Sequence, residues 1–403
     1  MTLLIENCRL VSNGKDVFRN ILIKKGKISK ILPPEKKPKA EKTIDAKKNY
    51  VIPGIVDPHV HFREPGLTHK EDLFTGSVAA AAGGITTFID MPNTNPTTTT
   101  AEMLKQKKSL AEKSVVNYGF HFGAAVDNLA EIPKVNKEVA STKLFMNLST
   151  GKMMIEDNNL IEQIFEASKM VAVHAEKEKV AEAVAYAKKT GTPLYLCHIS
   201  LKDEIDFIKA AKSNSSNIFA EATPHHLFLS KQDFKKQKGF ADMKPSLKTK
   251  KDVEALWKAI EEGIIDTIGT DHAPHTKEEK RKKDYPSGVT GCETALPLML
   301  DAVNNGKITL TKAVRLMSTN PARIFKIKGK GKIKEGYDAD LVIVDMDKKR
   351  KVQNKSLFTK CKWSPFNGKI LKGWPTATIV GGNVVFDETG FYDIKAKEVV
   401  FDG

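Results

Sequence analysis

Seven residues, Asp57-Pro58-His59-Val60-His61-Phe62-Arg63, carry the first recognisable chemistry in the chain. They follow an apolar run, Tyr50 to Val56, that reads as one buried strand entering them. Side chains alternate across a strand, so His59 and His61 project to the same side and can grip one ion through their imidazole nitrogens. Later apolar runs end in the same kind of group. His174 closes Val171-Ala172-Val173, His198 closes Leu194-Tyr195-Leu196-Cys197, and Asp271 closes Asp266-Thr267-Ile268-Gly269-Thr270. Four histidines and one aspartate at strand ends match a ligand set for two transition-metal ions, with the carboxylate suited to proton transfer as well.

Groups at strand ends need a scaffold that gathers those ends. From about residue 54 to 332, short apolar runs alternate with helix-like stretches such as Asp252 to Glu262, which predicts a (β/α)8 barrel whose catalytic groups sit at the C-terminal ends of its strands. Residues 1–53 and 333–403 read instead as β structure, in Leu3-Leu4-Ile5, Ile21-Leu22-Ile23, Leu341 to Val344 and Thr378 to Val385. Neither terminal piece has enough strands for a core of its own, so both are expected to pair into one small β domain beside the barrel.

Composition mainly excludes. The 403 residues suffice for one large α/β domain and a smaller appendage. The formal charge of +16 invites a nucleic-acid reading, but the excess is lysine in short clusters such as Lys348-Lys349-Arg350-Lys351, without interleaved aromatics or a nucleic-acid motif. A solvated basic surface that draws anionic metabolites to a cleft is the expectation, with no nucleic-acid partner. Four cysteines without CxxC spacing argue against a disulfide framework or a zinc ribbon and suit a reducing cytoplasm. No signal peptide is read at the start, and no run reaches the roughly 18 apolar residues of a membrane span.

Three longer stretches, Asp57-Pro58-His59-Val60-His61-Phe62-Arg63-Glu64-Pro65-Gly66, Met91-Pro92-Asn93-Thr94-Asn95-Pro96 and Thr270-Asp271-His272-Ala273-Pro274-His275-Thr276, resemble the cyclic amidohydrolases, and among them the dihydroorotases. The resemblance implies two zinc ions at the barrel mouth, with cobalt or manganese able to substitute. His59, His61 and Asp271 would hold one ion, and His174 and His198 the other. It also implies a bridge: Lys143, in Lys143-Leu144-Phe145, matches the lysine that one form of the family carboxylates with carbon dioxide to a bidentate carbamate. The implied reaction interconverts N-carbamoyl-L-aspartate and L-dihydroorotate in pyrimidine biosynthesis, with Asp271 moving the proton. A homo-oligomer, or association with another pyrimidine enzyme, is the partner the resemblance allows.

Substrate choice would rest on other positions. A planar Arg63 fork suits a ring carboxylate. By resemblance Asn93 and His275 complete the substrate contacts, with backbone groups near Ser287 and Gly288. Related allantoinases and dihydropyrimidinases usually keep the metal ligands and depart at the Arg, the Asn or the last His. Lys244 stands where relatives carry an Arg or Asn that touches substrate, and as a point charge it is expected to take that role. Cys197 and Glu221 resemble a further zinc site of the animal domain, with His225 and His226 nearby. Ligand-orienting duty is the commoner use of such groups. A scaffold relative without metals is the reading from another class, and the complete ligand set counts against it.

Overall fold

The computed structural model describes residues 2–12, 15–148 and 153–402. Eight parallel strand positions close a barrel: Ile55–Val60, Ile85–Asp90, Asn117–Phe120 continued by Phe122–Gly123, Thr142–Phe145, Val171–His174, Leu194–Leu196, Ile218–Ala222 and Thr267–Ile268. Two seams complete the ring. Ala140 N donates to Phe120 O and Phe122 N to Ser141 O on one side, while His61 N donates to His272 O on the other. Helices such as Leu73–Ala82, Ala101–Ala111, Glu178–Thr190 and Lys250–Glu262 return the chain between strands. Their buried residues recur at helical spacing, as Val180, Ala183, Val184 and Ala187 do, so one face packs on the barrel and the other meets water. The last strand is short, because Gly269 and the residues after it turn out of the ladder to form the site.

A nine-stranded sheet holds strands from both ends of the sequence. Its central seam is Tyr50–Pro53, paired antiparallel with Leu341–Val344 and touching Arg9 of Thr2–Ser12. The apolar run read as one strand is therefore two. It breaks at Gly54, whose N–H donates to Asp340 O and whose carbonyl accepts from Ser318 Oγ. A Cβ there would fall 2.0 Å from Thr86 Oγ1, so the chain crosses between sheets only where no side chain stands. The tail also departs from the expected 333–403 grouping. Val399 and Phe401 pack under the barrel with Val56, Ile89 and Phe325, and Tyr118 N donates to Lys397 O. Their apolar surface is better buried against the barrel floor than along a sheet edge. Among the described residues no helix is long and apolar enough to cross a membrane.

One ion pair stitches the barrel to the loop that carries the first histidines. Lys107, on helix Ala101–Ala111, sits 2.6 Å from Asp90 at the end of a strand and donates to Met91 O at 2.7 Å. Asp90 in turn accepts from Phe62 N at 2.7 Å, between His61 and Arg63. Both charged side chains are withdrawn from water. Lys107→Met keeps the stem and strands the carboxylate, so unfolding free energy should fall by about 3–5 kcal/mol. Denaturant titration reads this, and a loss under about 1 kcal/mol, the range of an exposed pair, would contradict it.

Candidate active site

His59 and His61 come off the first strand at its C-terminal end, and both Nε2 atoms face Asp271 Oδ1, at 3.4 and 3.1 Å. Their other nitrogens are anchored. His59 Nδ1 lies 2.8 Å from Glu221 Oε1, and His61 Nδ1 lies 2.6 Å from Asn93 Oδ1. An ionised carboxylate can only accept, so His59 Nδ1 carries the proton and its Nε2 presents either a lone pair or a second proton to Asp271. A lone pair facing a carboxylate oxygen at this distance requires a cation between them. Without a metal ion that cation is a proton: burial pulls the His59 pKa down, but Glu221 and Asp271 together hold it well above the ordinary value. His61 behaves oppositely, pushed down to about 4 by burial despite Asp271. For Asp271, burial favours the neutral acid, yet His59 and His61 keep its carboxyl well below the usual range.

His174 and His198 form the second half. His174 Nδ1 and His198 Nε2 lie 2.9 Å apart, and burial, reinforced by neighbouring positive groups, drives both pKa values down. Neutral imidazoles are the form that binds metal. Only one ring can donate across that contact, and the far nitrogens, His174 Nε2 and His198 Nδ1, have no hydrogen-bond partner. If His174 donates across the pair, the N–H of His198 Nδ1 is buried unmatched, whereas in the other tautomer His174 Nε2 faces Glu176 Oε1 at 3.7 Å, beyond hydrogen-bond distance. A shared ion would accept from both facing lone pairs. Donor atoms of His59, His198 and Asp271 all lie within 4.8 Å of one another, so the two halves adjoin. This donor set fits transition-metal binding.

Lys143 lies in the strand Thr142–Phe145, fully buried. Its ammonium donates to Cys197 Sγ at 2.9 Å and stands 5.2 Å from the Phe145 ring. Among the described residues no carboxylate is within ion-pair distance of it. Its charge reaches His174 and His198, lowering both. Glu221, weighed from sequence mainly as a second-rank group, holds the centre together: it accepts from His59 Nδ1, from His198 N at 3.0 Å and from Tyr195 OH at 2.8 Å. Gly269 makes room for it, since a Cβ there would lie 2.3 Å from Glu221 Oε2. His59, Cys197 and Glu221 also lie close enough to share an ion. Each is already engaged, His59 with Glu221 and Cys197 with Lys143. His226 bonds Thr223 Oγ1 and Pro245 O, while His225 Nε2 is buried without a partner.

Beside this centre opens a small cleft lined by His61, Arg63, Asn93, Met243, Lys244, Asp271, Ala273, Ser287 and Gly288. Arg63 forms its inner wall and is only 2% exposed. Nε donates to Pro274 O at 3.1 Å, and one terminal nitrogen lies 3.2 Å from His275 Nε2. Burial pushes its pKa down to about 10, and among the described residues no carboxylate pairs with it. His275 lies behind the cleft, between Lys70 Nζ at 3.1 Å and Ser287 O at 3.0 Å. Burial, then the charges of Arg63, Lys70 and Lys280, keep its ring neutral. Gly288 has both backbone groups in use, its N–H on Asp242 O and its carbonyl on Lys280. Its φ of +137° and a Cβ position 2.5 Å from Ala273 O reserve the place for glycine. Larger cavities occur at the edges of the β sheet, and the metal-ligand candidates line none of them.

Three site residues, Arg63, His198 and Asp271, have left-handed backbones with φ of 65°, 40° and 46°. Non-glycine residues persist there when their surroundings over-determine them, and here the twist turns each side chain inward just past its strand. Asp57 is a further residue that the sequence reading passed over. Its Oδ1 accepts from His59 N and Thr270 N, and its Oδ2 from Thr270 Oγ1 at 2.6 Å, so it ties the first strand to the last and brings the histidines to Asp271. Burial raises its pKa to about 7. Its place one residue before the Pro-His motif was the only signal.

The sequence pattern of the amidohydrolase family matches residues 50–385. The chain is 37% identical to the dihydroorotase of Methanosphaera stadtmanae, over 98% of this chain and 99% of that one. It is also 37% identical to part of the multifunctional protein CAD of Squalus acanthias, over 83% of this chain and 15% of that protein. Among solved structures, the L-hydantoinase (dihydropyrimidinase) of Arthrobacter aurescens superposes with a TM-score of 0.94 at 30% identity, covering 99% of each chain. A barrel whose strand ends gather metal-binding side chains, matched along most of its length by that pattern, places this chain in the amidohydrolase family, and it is a hydrolase.

Proposed function

We propose that the enzyme is a dihydroorotase, interconverting N-carbamoyl-L-aspartate and L-dihydroorotate in pyrimidine biosynthesis. The observation that carries this reading is Arg63: a guanidinium buried at the inner wall of the cleft, with no carboxylate among the described residues within ion-pair distance. Such a charge is costly to bury unless a ligand brings the anion. Dihydroorotate carries a ring carboxylate that a planar fork can hold in two hydrogen bonds, whereas dihydrouracil and simple hydantoins carry none. Relatives named dihydroorotase support the same choice. The hydantoinase superposition supports the shared scaffold.

The residues divide the work. His59, His61 and Asp271 would hold one zinc ion, His174 and His198 the other, and a carbamate on Lys143 would bridge them. Formation of that carbamate replaces a buried, unpaired ammonium with an anion placed among cation ligands. When bound, the ions supply Lewis acidity, acidifying a water and polarising the amide carbonyl. In hydrolysis an Asp271 carboxylate oxygen accepts the proton of the attacking water and hands it to the ring nitrogen as the amide bond breaks. In closure the same oxygen takes a proton from the carbamoyl nitrogen as that nitrogen attacks the side-chain carboxyl carbon and hands it to the departing oxygen, which leaves as water because that carboxyl has first taken a proton from solvent. Arg63 orients the carboxylate, and Asn93, by fixing His61 at the cleft wall, couples the substrate side to the ligands. Lys244, which also lines the cleft, adds a positive charge. The four cysteines, all buried and free, support a reducing cytoplasmic setting, and the multifunctional relatives support association with another enzyme of the pathway.

Assays of the purified protein on dihydroorotate, dihydrouracil and allantoin, beside metal analysis, test the reading. Two metals per chain and a strong preference for dihydroorotate are expected. Better turnover of either neutral ring would leave a cyclic amidohydrolase of another kind. Lys143→Ala removes the bridge, so metal content should fall below that of the parent and activity should collapse, with short carboxylic acids at high concentration restoring part of it. Full activity and full metal content in that variant would discard the carbamate. Arg63→Met should lower kcat/KM for dihydroorotate by tens-fold to thousands-fold, the equivalent of about 2–5 kcal/mol for truncating a buried charged pair, and leave the metals in place. Activity on dihydrouracil should change far less, and an equal loss on both substrates would remove Arg63 from carboxylate recognition.

A further inference from the structure

Lys280 lies in a run, Lys277-Glu278-Glu279-Lys280-Arg281-Lys282-Lys283, that reads as solvated surface. The fold instead turns it inward, and it is only 2% exposed. Its ammonium donates to Pro286 O and Gly288 O, both at 2.8 Å, and to Asp242 O at 3.3 Å. It also stands 5.6 Å from the Trp363 ring. Three N–H donors thus meet three carbonyls, and among the described residues no carboxylate is within ion-pair distance. Burial pushes its pKa down to about 7, the expense of holding a charge on neutral partners.

Those carbonyls belong to the two loops that form one side of the cleft, 242–244 and 286–288. Other contacts join the same loops: Gly288 N donates to Asp242 O at 2.9 Å, and Ser287 Oγ to Asp242 Oδ2 at 2.6 Å. From there the connection runs to the anion-binding wall. Ser287 O takes a hydrogen bond from His275 Nε2, whose ring edge abuts Arg63, and Trp363 Nε1 donates to His275 O at 2.7 Å. The 286–288 loop is thereby connected to His275 and, through the close approach of its ring to Arg63, to the guanidinium. An apolar side chain could fill the same space. It could not bind two loops at once through their backbone oxygens.

We propose that Lys280 is a positioning residue for substrate recognition, its ammonium clamping the 242–244 and 286–288 loops at the spacing that sets His275 and Arg63 for an anionic substrate. The clamp acts on binding rather than on the bond-making step, because no metal-ligand candidate lies along it. The substrate named in the test rests on the dihydroorotase reading.

Two measurements on the full-length, metal-loaded enzyme test the clamp. In Lys280→Met the loss of charged hydrogen bonds should raise KM for dihydroorotate by about tenfold to hundredfold, with kcat and metal content close to the parent's. Hydrogen exchange at the Gly288 amide should quicken in the same variant, a readout that needs no substrate. Lys280→Gln, which keeps one donor, should fall between the two and serves if the Met variant does not fold. A lysine that merely stabilises the fold would lower the melting temperature, leave KM at the parent value and quicken exchange at core amides generally rather than at Gly288 in particular, and that result overturns the proposal. If the parent itself ignores dihydroorotate, the substrate assignment fails, and the exchange experiment still decides the clamp: faster exchange at Gly288 in particular sustains it, and unchanged or generally faster exchange ends it.

Discussion

A positive charge taken out of water must be given something to face, and much of this molecule can be understood from how each buried cation meets that demand. Lys107 meets it with Asp90, and Lys330 with Asp338 and Asp340. These closed pairs sit where elements must be joined, the first beneath the loop of His61 to Arg63, the second where the β sheet meets the barrel. Lys280 meets it with backbone oxygens of two cleft loops. Among the described residues neither Arg63 nor Lys143 has a carboxylate within ion-pair distance, and both lie at the barrel mouth. The imbalance is local. A fold that pairs its buried cations elsewhere leaves two of them open beside the same set of histidines.

The negative groups obey the complementary rule. Glu221 and Asp57 are withdrawn from water, and each satisfies its oxygens with several donors drawn from different strands. Glu221 fixes the protonated nitrogen of His59, and Asp57 joins the first strand to the last. Asp271 is different, because what faces it are the inward nitrogens of His59 and His61. Acceptors converge there, which is stable only with cations among them. The left-handed backbones at Arg63, His198 and Asp271 are the local strain that this convergence requires, held in place by the closed barrel around them.

Much of this was legible in the chain. His59, His61, His174, His198 and Asp271 stood out because each follows a short apolar run, and a parallel barrel gathers the ends of such runs on one face. Arg63 was legible by adjacency to the histidine pair. Gly54 was not, since an apolar run says nothing about which of two sheets each half will join. Lys280 and Lys107 were hidden for another reason: in a chain with 65 lysines and arginines, nothing in the local pattern separates a buried lysine from a solvated one. Their partners, Asp242, Pro286, Gly288 and Asp90, are set by tertiary contacts across the barrel mouth. The tail was misgrouped because Val399 and Phe401 look like strand residues whichever surface buries them.

The barrel itself cannot choose the substrate. A hydantoinase shares nearly the whole backbone at modest sequence identity, so discrimination must come from side chains at the strand ends and from the loops that aim them. Metal ligands are poorly suited to this task, because any cyclic amide presents them with the same carbonyl and the same leaving nitrogen. What differs among such rings is the substituent beyond the scissile bond, and the wall proposed to meet it in this chain is cationic and buried. Arg63 supplies the charge, neutral His275 sits against it without adding a second one, and Lys280 holds the loop on which His275 leans. On the proposed reading, recognition would rest on Arg63, His275 and the loops behind them, a set of contacts distinct from the candidate metal ligands, so the substituent would be read apart from the centre that attacks the amide.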